Sequence, residues 1–369
     1  MINQCFCAEY YNFSSLKYLK NMTLAIISEC PHYIDEEGEI LGWGATITEI
    51  NHLVLLFDKI YHVAPLHSSK PLKSALPYTS SKIEFVSLRP TGGKTIYKKL
   101  GILAKMPKTI KTVNTILSRV DVFQFRAPAG IGVYLIPWLL LKNKKGWFKY
   151  AGNWVQQNPP PGYAIQKKIL QRQNRKVTIN GKWHDQKEHL ITFENPCLFE
   201  NERSIGLDTI NDKVYKPPFS FCFVGRLEDE KGVQRIIDAF LSFNDLKQIV
   251  DKIHFVGNGK KDTIYKEQTK AQRSKFIFHG ALSRTEVLEI YKKSHFFLLP
   301  STASEGFPKV IAEALNYGCI PIVSNVSSIG QYINNTNGFI ITPTNTKTLF
   351  ETLKRLEHLS WKEFQKKAE

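Results

Sequence analysis

FSFCFVGRLEDEKGVQRIIDAF, residues 219–240, gives three structural instructions in a row. The run from Phe219 to Val224 is almost unbroken in its apolarity, the pattern of a strand covered on both faces. Residues 225–232 form a charged turn bounded by glycines, and VQRIIDAF then places apolar residues at helical spacing. Strand, turn and helix in that order make up half of a βαβ unit, and the second half of the chain repeats the phrase. IHFVG (253–257), KFIFHG (275–280), HFFLLP (295–300) and IPIVS (320–324) read as strands. RTEVLEIYKKS and PKVIAEALNYG read as helices, the latter stopping on Gly318. Such alternation predicts an α/β protein with doubly wound parallel sheets.

The first half follows the same grammar less regularly. TLAIIS (23–28), KIYHVAPLH (59–67), KIEFVSL (82–88) and DVFQFRAP (121–128) read as strands, FKYAGNW and KVTING as further ones. ATITEINHLVLLF (45–57) reads as a helix. A chain of 369 residues exceeds what one core usually holds. The expected architecture is two Rossmann-like domains facing across a cleft, 22–212 and 213–369. The stretch from about 195 to 218, with its KPPF, reads as the connection. Residues 1–21 read as an N-terminal extension of unclear role.

Composition narrows the classes. The hydrophobic fraction of 43% is that of a globular chain. The six cysteines, Cys5, Cys7, Cys30, Cys197, Cys222 and Cys319, form no metal-binding spacing. They fit a reduced, cytoplasmic protein. The longest apolar run, 131–141, is interrupted by Pro137 and is about half of what a membrane span requires.

Charge is unevenly distributed. Segment 59–187 holds 24 Lys and Arg against Glu84, Asp121 and Asp185, so it carries +21 of a net +17 and the remainder sums to −4. That asymmetry points to an anionic partner for the first half, or to a merely solvated basic face. WLLLKNKKGWFKYAGNW (138–154) interleaves three Trp with four Lys, which suits the headgroup region of an anionic bilayer. The same mixture can stack on nucleic-acid bases. No RNP, zinc-finger or helix-turn-helix pattern accompanies it, so no nucleic-acid partner is expected.

Two stretches can carry chemistry. After the first strand of the second half, Gly225 is followed by Arg226 and Lys231. Cations at a strand's carboxyl end beside a helix N-terminus suit a diphosphate, although both can instead pair with the acidic residues around them. In STASEGFPKVIAEALNYG (301–318), Glu305 lies in a loop and Glu313 inside the following helix. Two carboxylates two turns apart can accept hydrogen bonds from two polyol groups of one ligand. Glu313, flanked by VIA and AL, needs a buried partner.

VGRLEDEKG, EGFPKVIAEA, GCIPIVS and NGFI together resemble the nucleotide-binding half of the retaining GT-B glycosyltransferases, family 4 type (glycosyl transferases group 1). The resemblance is strong over about 219–349 and weak before it. It implies transfer of a hexose or related sugar from a nucleotide-sugar co-substrate to a glycan or lipid-linked glycan, with neither metal nor other cofactor. It implies Glu305, Arg226 and Lys231 as catalytic residues. Donor contacts would come from Gly225, Arg226, Lys231, Leu282, Glu305, Gly306, Phe307, Pro308, Lys309 and Glu313. Arg226 and Lys231 would hold the diphosphate, Glu305 and the 306–308 backbone the transferred sugar, and Glu313 the ribose. The base would lie near FHGALS (278–283).

LGWGATITEI (41–50) resembles the family's glycine-bearing loop, making Gly42 and Gly44 acceptor-side candidates; simple turn glycines are the alternative. Arg126 stands at the strand end where the family often has histidine, and His67 ends another strand; both are acceptor-side candidates. Arginine cannot serve as a base near neutrality, so Arg126 could only position a group or stabilise charge. The expected enzyme is cytoplasmic and acts in polysaccharide or glycoconjugate synthesis, and the charge and Trp placement add a peripheral position at the inner face of the cytoplasmic membrane. Alternatives on the same fold are a nucleotide-sugar epimerase and a glycan phosphorylase. A basic nucleic-acid-binding protein is the non-enzyme alternative.

Overall fold

The structure, a computed structural model, describes residues 21–91, 101–242 and 249–368. All but one residue of the expected extension 1–21 therefore lies outside the described residues, Cys5 and Cys7 among them. The chain divides into two compact units between Pro196 and Cys197.

The first unit is built on seven parallel strands: β1 (Thr23–Ile27), β4 (Lys59–Pro65), β6 (Ile83–Leu88), β7 (Val122–Ala127), β8 (Gly146–Tyr150), β9 (Val177–Ile179) and β10 (Leu190–Thr192). Their spatial order is β10-β9-β8-β7-β1-β4-β6. Leu24, Ala25, Ile26 and Ile27 are all fully buried because helices cover both faces. Helix α1 (Gly44–Leu53) contributes Ile50 to the cluster with Leu24, Ile26 and Val122. Helices α2 (Met106–Leu117), α3 (Gly132–Leu141) and α4 (Pro161–Arg172) pack on the other face, around Ala25, Ile27, Phe123 and Phe125. Asp121 fixes the register, accepting the Thr23 backbone N–H at 2.7 Å and hydroxyl at 2.8 Å.

Three short strands, β2 (His32–Ile34), β3 (Ile40–Trp43) and β5 (Ala75–Pro77), form an antiparallel sheet that the sequence reading lacked. Gly42 accordingly sits in β3 and Gly44 starts α1, so LGWGATITEI is a strand and a helix rather than a loop. The helix expected over 45–57 ends at Leu53, where a turn brings Phe57 into the core.

The second unit contains β11 (Phe219–Val224), β12 (Val250–Val256), β13 (Phe276–Gly280), β14 (Phe296–Leu299), β15 (Ile320–Ser324) and β16 (Phe339–Ile341). All pair in parallel, in the order β13-β12-β11-β14-β15-β16. Helix α5 (Glu200–Asp212) occupies the stretch read as a connection and groups with this unit. Only its Glu202 and Gly206 are buried, so no apolar stripe announces it. The remaining helices are α6 (Val233–Leu241), α7 (Asp262–Gln268), α8 (Arg284–Lys293), α9 (Lys309–Asn316), α10 (Ile329–Tyr332), α11 (Thr346–Arg355) and α12 (Trp361–Ala368). Phe364 of α12 packs edge-on against Phe219 and Phe296, inside this unit's core. No described helix is long and apolar enough to cross a membrane.

Both sheets reverse direction once. The reversal falls between β1 and β7 in the first unit and between β11 and β14 in the second. Loops leaving the carboxyl ends of two such strands diverge to opposite faces and leave a crevice, where ligands of open α/β sheets bind.

Candidate nucleotide-sugar site

The two charged stretches leave β11 and β14, so they meet at the second unit's reversal point. The turn 228–232 docks against the loop 300–305 through backbone bonds. Thr302 and Ala303 N–H donate to the Glu230 carbonyl at 2.7 and 3.1 Å. Gly232, at φ +95°, leads into α6 in a left-handed conformation. A Cβ there would lie 2.7 Å from Pro300 Cγ, so both backbone conformation and space require glycine. Arg235 completes the seam, donating through Nε to the Pro300 carbonyl at 2.8 Å and through Nη2 to that of Asp229 at 3.0 Å.

Side chains converge on the same seam. Lys231 Nζ lies 2.5 Å from Glu305 Oε1, and both side chains are 16% exposed. The Ser301 hydroxyl donates to the same carboxylate oxygen at 3.2 Å. Arg226 is exposed and pairs with Glu228 at 3.1 Å. Asp229 faces away from this pair, bonded to Lys261 and accepting from the Tyr265 hydroxyl at 2.6 Å. Those two bonds, that of Lys261 first, hold its carboxyl below the usual range. From β12, the loop 257–259 closes over the turn, with Leu227 N–H donating to Asn258 O at 3.1 Å. A Cβ on Gly257 or Gly259 would overlap the carbonyl oxygens of Gly225 and Leu227.

Pro308 caps α9 and Lys309 is its first residue, so the 306–308 backbone delivers the chain to a helix N-terminus. The Phe307 ring rests against Tyr332 at 4.8 Å. Leu282, half-buried, lies between β13 and the Ser283 cap of α8. Glu313, within α9, has the buried partner it needed: Arg284 Nη1, at 2.9 Å from Oε1. Arg284 reaches it from the start of α8, and no local sequence signal marks the pair. Ser301, Asp229, Arg235 and the 257–259 loop were likewise missed; VGNG after a strand was the one available sign, a glycine pair at a strand end.

The first unit's candidates behave differently. Arg126 lies in β7, 9% exposed, with Nη2 2.8 Å from Glu49 Oε1 and Nε 2.9 Å from Gln124 Oε1. Lys149, its register partner on β8, reaches the same Glu49 oxygen at 2.6 Å and Asn195 Oδ1 at 2.5 Å. His67 follows β4, half-buried beside Tyr33 with ring centroids 5.8 Å apart. Gly42 packs against His32, whose Nε2 would be 2.6 Å from an added Cβ. His32 and His62 are fully buried and share the Tyr78 hydroxyl at 2.8 and 2.7 Å, while Ser28 Oγ lies 2.8 Å from the other His62 nitrogen. Burial holds His32 down to about 4 and His62 well below its ordinary value. On helices α2–α4, Lys108, Lys111 and Lys168 are exposed, as are Val133, Leu141 and Ile165. Lys142 Nζ stands 4.6 Å above the Trp138 ring.

Known proteins match this chain by sequence over less than half of its length and by fold over more than nine-tenths of it. The family described as glycosyl transferases group 1 matches residues 210–369. The chain is 30% identical over 136 residues to the putative teichuronic acid biosynthesis glycosyltransferase TuaC of Bacillus subtilis, covering 37% of this chain and 32% of TuaC. It is 30% identical over 166 residues to the capsular polysaccharide biosynthesis glycosyltransferase CapH of Staphylococcus aureus, covering 42% and 45%. These matches span less than half the length of either relative. Among solved structures, Anabaena HepE with UDP and glucose superposes with a TM-score of 0.64 at 15% identity, over 94% of this chain and 93% of that one. Sucrose-phosphate synthase from Thermosynechococcus elongatus gives 0.67 at 14% identity, over 95% and 92%. The chain thus has the fold of the GT-B glycosyltransferases, two Rossmann-like units, and its residues 210–369 match the family described as glycosyl transferases group 1.

Proposed function

We propose that this protein transfers a hexose from a nucleotide-sugar donor to a glycan or lipid-linked glycan, with retention of configuration, in the synthesis of a surface polysaccharide or glycoconjugate. The observation that carries the proposal is the meeting of Lys231 and Glu305 at the β11/β14 reversal point, with Arg226 in the same loop as Lys231 and Glu313 along α9. The relatives' roles in teichuronic acid and capsule synthesis, and the UDP and glucose held by HepE, support it.

Lys231 and Arg226 would take the donor diphosphate, releasing Glu305 and Glu228 from their present ion pairs. Freed in this way, Glu305 accepts hydrogen bonds from the hexose hydroxyls while Glu313 accepts those of the ribose. In the reaction the bond from the anomeric carbon to the diphosphate oxygen breaks and a bond to the acceptor hydroxyl oxygen forms on the same face. The acceptor's proton passes to the departing diphosphate oxygen. Charge developing there meets Lys231, Arg226 and the α9 N-terminus, so the reading needs no metal. Lys231→Ala is expected to lower turnover about a hundredfold. An unchanged rate of both sugar transfer and donor hydrolysis would remove Lys231 from the site. Transfer unaffected by EDTA is the corresponding expectation for metal independence.

The α2–α4 layer we assign to the cytoplasmic face of an anionic membrane. Its exposed apolar residues can enter the headgroup region while the surrounding lysines meet lipid phosphates. Co-sedimentation with anionic vesicles should exceed that with neutral ones; equal, negligible binding to both contradicts the assignment.

A further inference from the structure

We infer that Arg284 is a positioning residue for the nucleotide, fixing the direction of the Glu313 carboxylate through its ion pair. The inference rests on the reading of Glu313 as the ribose ligand. All three guanidinium nitrogens of Arg284 donate hydrogen bonds. Nε and Nη2 donate to the two oxygens of Glu202 at 3.0 and 2.9 Å, Nη2 also to the Cys197 carbonyl at 2.6 Å, and Nη1 to Glu313 Oε1 at 2.9 Å. Three elements meet at one planar cation: α8 supplies the arginine, α5 and α9 a carboxylate each. An ammonium could not reproduce that fork.

The direction of control follows from what fixes each carboxylate. Glu202 is anchored independently, accepting the Phe199 backbone N–H at 2.8 Å at the start of its own helix. Asn316, at the end of α9, donates to the Glu202 carbonyl at 2.9 Å, so α5 is seated on α9 by a second bond. Glu313 is therefore the adjustable member, and Arg284 orients it against a fixed frame.

Charge gives the position its sensitivity. Glu202 and Glu313 are each 12% exposed and both pair with Arg284. Without it, two poorly solvated carboxylates face each other and one takes up a proton. A protonated Glu313 loses acceptor capacity for hydroxyl groups. The other groups around it are Lys309 on its own helix, the Cys197 thiol and the Tyr291 and Tyr317 phenols. Burial pushes Cys197 and Tyr317 up to about 12 and Tyr291 well above its ordinary value, so these three stay uncharged near neutrality.

The test measures dissociation constants for UDP, ADP and GDP and, for the tightest binder, its 2′- and 3′-deoxy forms, from pH 5.5 to 8.5. The wild type should prefer the ribose form over at least one deoxy form by about tenfold or more, the effect of losing a hydrogen bond to a charged acceptor. Glu313→Ala should abolish that preference at every pH. Arg284→Met should shrink it most at low pH and restore part of it as pH rises. Arg284→Lys should fall between Met and wild type, and the double variant Arg284→Met with Glu202→Gln, which removes the like charge, should bind with little pH dependence. If Glu313→Ala loses the preference while Arg284→Met keeps the wild-type preference and pH profile, Arg284 is structural only and the inference is wrong. If Glu313→Ala keeps the preference, the ribose reading itself falls and the inference with it.

Discussion

The two units share a topology and differ in what fills the reversal point of the sheet. In the second unit the loops after β11 and β14 carry charged side chains that remain at the surface or close to it, and each cation is paired with a carboxylate it can leave. In the first unit the corresponding positions are sealed. Glu29, after β1, accepts the Gly130 N–H at 2.5 Å and the Ile131 N–H at 3.2 Å, occupying the head of α3. Arg126 and Lys149 are buried on Glu49, and His32 and His62 are locked on Tyr78. The same fold thus presents exchangeable ion pairs in one half and fixed polar networks in the other. Charge alone, heavily concentrated in the first half, would have suggested the opposite assignment.

That contrast can be broken at its strongest point. Glu49→Ala leaves two buried cations without their carboxylate and is expected to cost about 3–5 kcal/mol of stability. Glu228→Ala, which frees the exposed Arg226, should cost under about 0.5 kcal/mol. Urea unfolding of both variants decides the matter; similar losses would mean that the first unit's network is no more rigid than the surface pair. Gly232→Ala comes next, with about 1–2 kcal/mol expected from the left-handed backbone and the contact with Pro300. Its donor affinity should fall with its stability, since the same turn presents Lys231.

A further effect concerns pH. Burial keeps His32 neutral down to about 4, whereas the unfolded chain takes up the proton near 6.5. The unfolded state therefore binds more protons in that window, so stability is complete above about pH 6.5 and falls as pH drops toward 4. One such histidine contributes at most about 1.4 kcal/mol per pH unit. His254 and His295, also held down to about 4, act in the same direction in the second unit. Urea titrations of wild type and His32→Gln between pH 4 and 7 should show the variant's shallower slope; parallel slopes would exclude His32 as a source.

The second unit was legible because its strands are buried on both faces, which leaves short, nearly unbroken apolar runs such as FFLL and IPIVS. The β2–β3–β5 sheet was not, since three- and four-residue strands carry too little pattern to register. Helix α5 escaped for a different reason: it is held by Glu202 and Gly206 rather than by an apolar stripe. Glu305, Lys231 and Glu313 could be named from their spacing. Arg284 could not, because the packing of three helices, not any local run of sequence, brings it to Glu313. Arg126 was visible as an unusual residue, but its pairing with Glu49 from α1 was beyond what the strand alone could tell.

The most direct test of the account is a thermal-shift screen of nucleotide-sugars against the wild type and Glu313→Ala. At a hundred times its dissociation constant, a true donor stabilises the folded state by about 2.7 kcal/mol through mass action. The account predicts that at least one nucleotide-sugar raises the wild-type Tm clearly and the Glu313→Ala Tm far less. No stabilisation by any nucleotide-sugar, or equal stabilisation of both proteins, would contradict it.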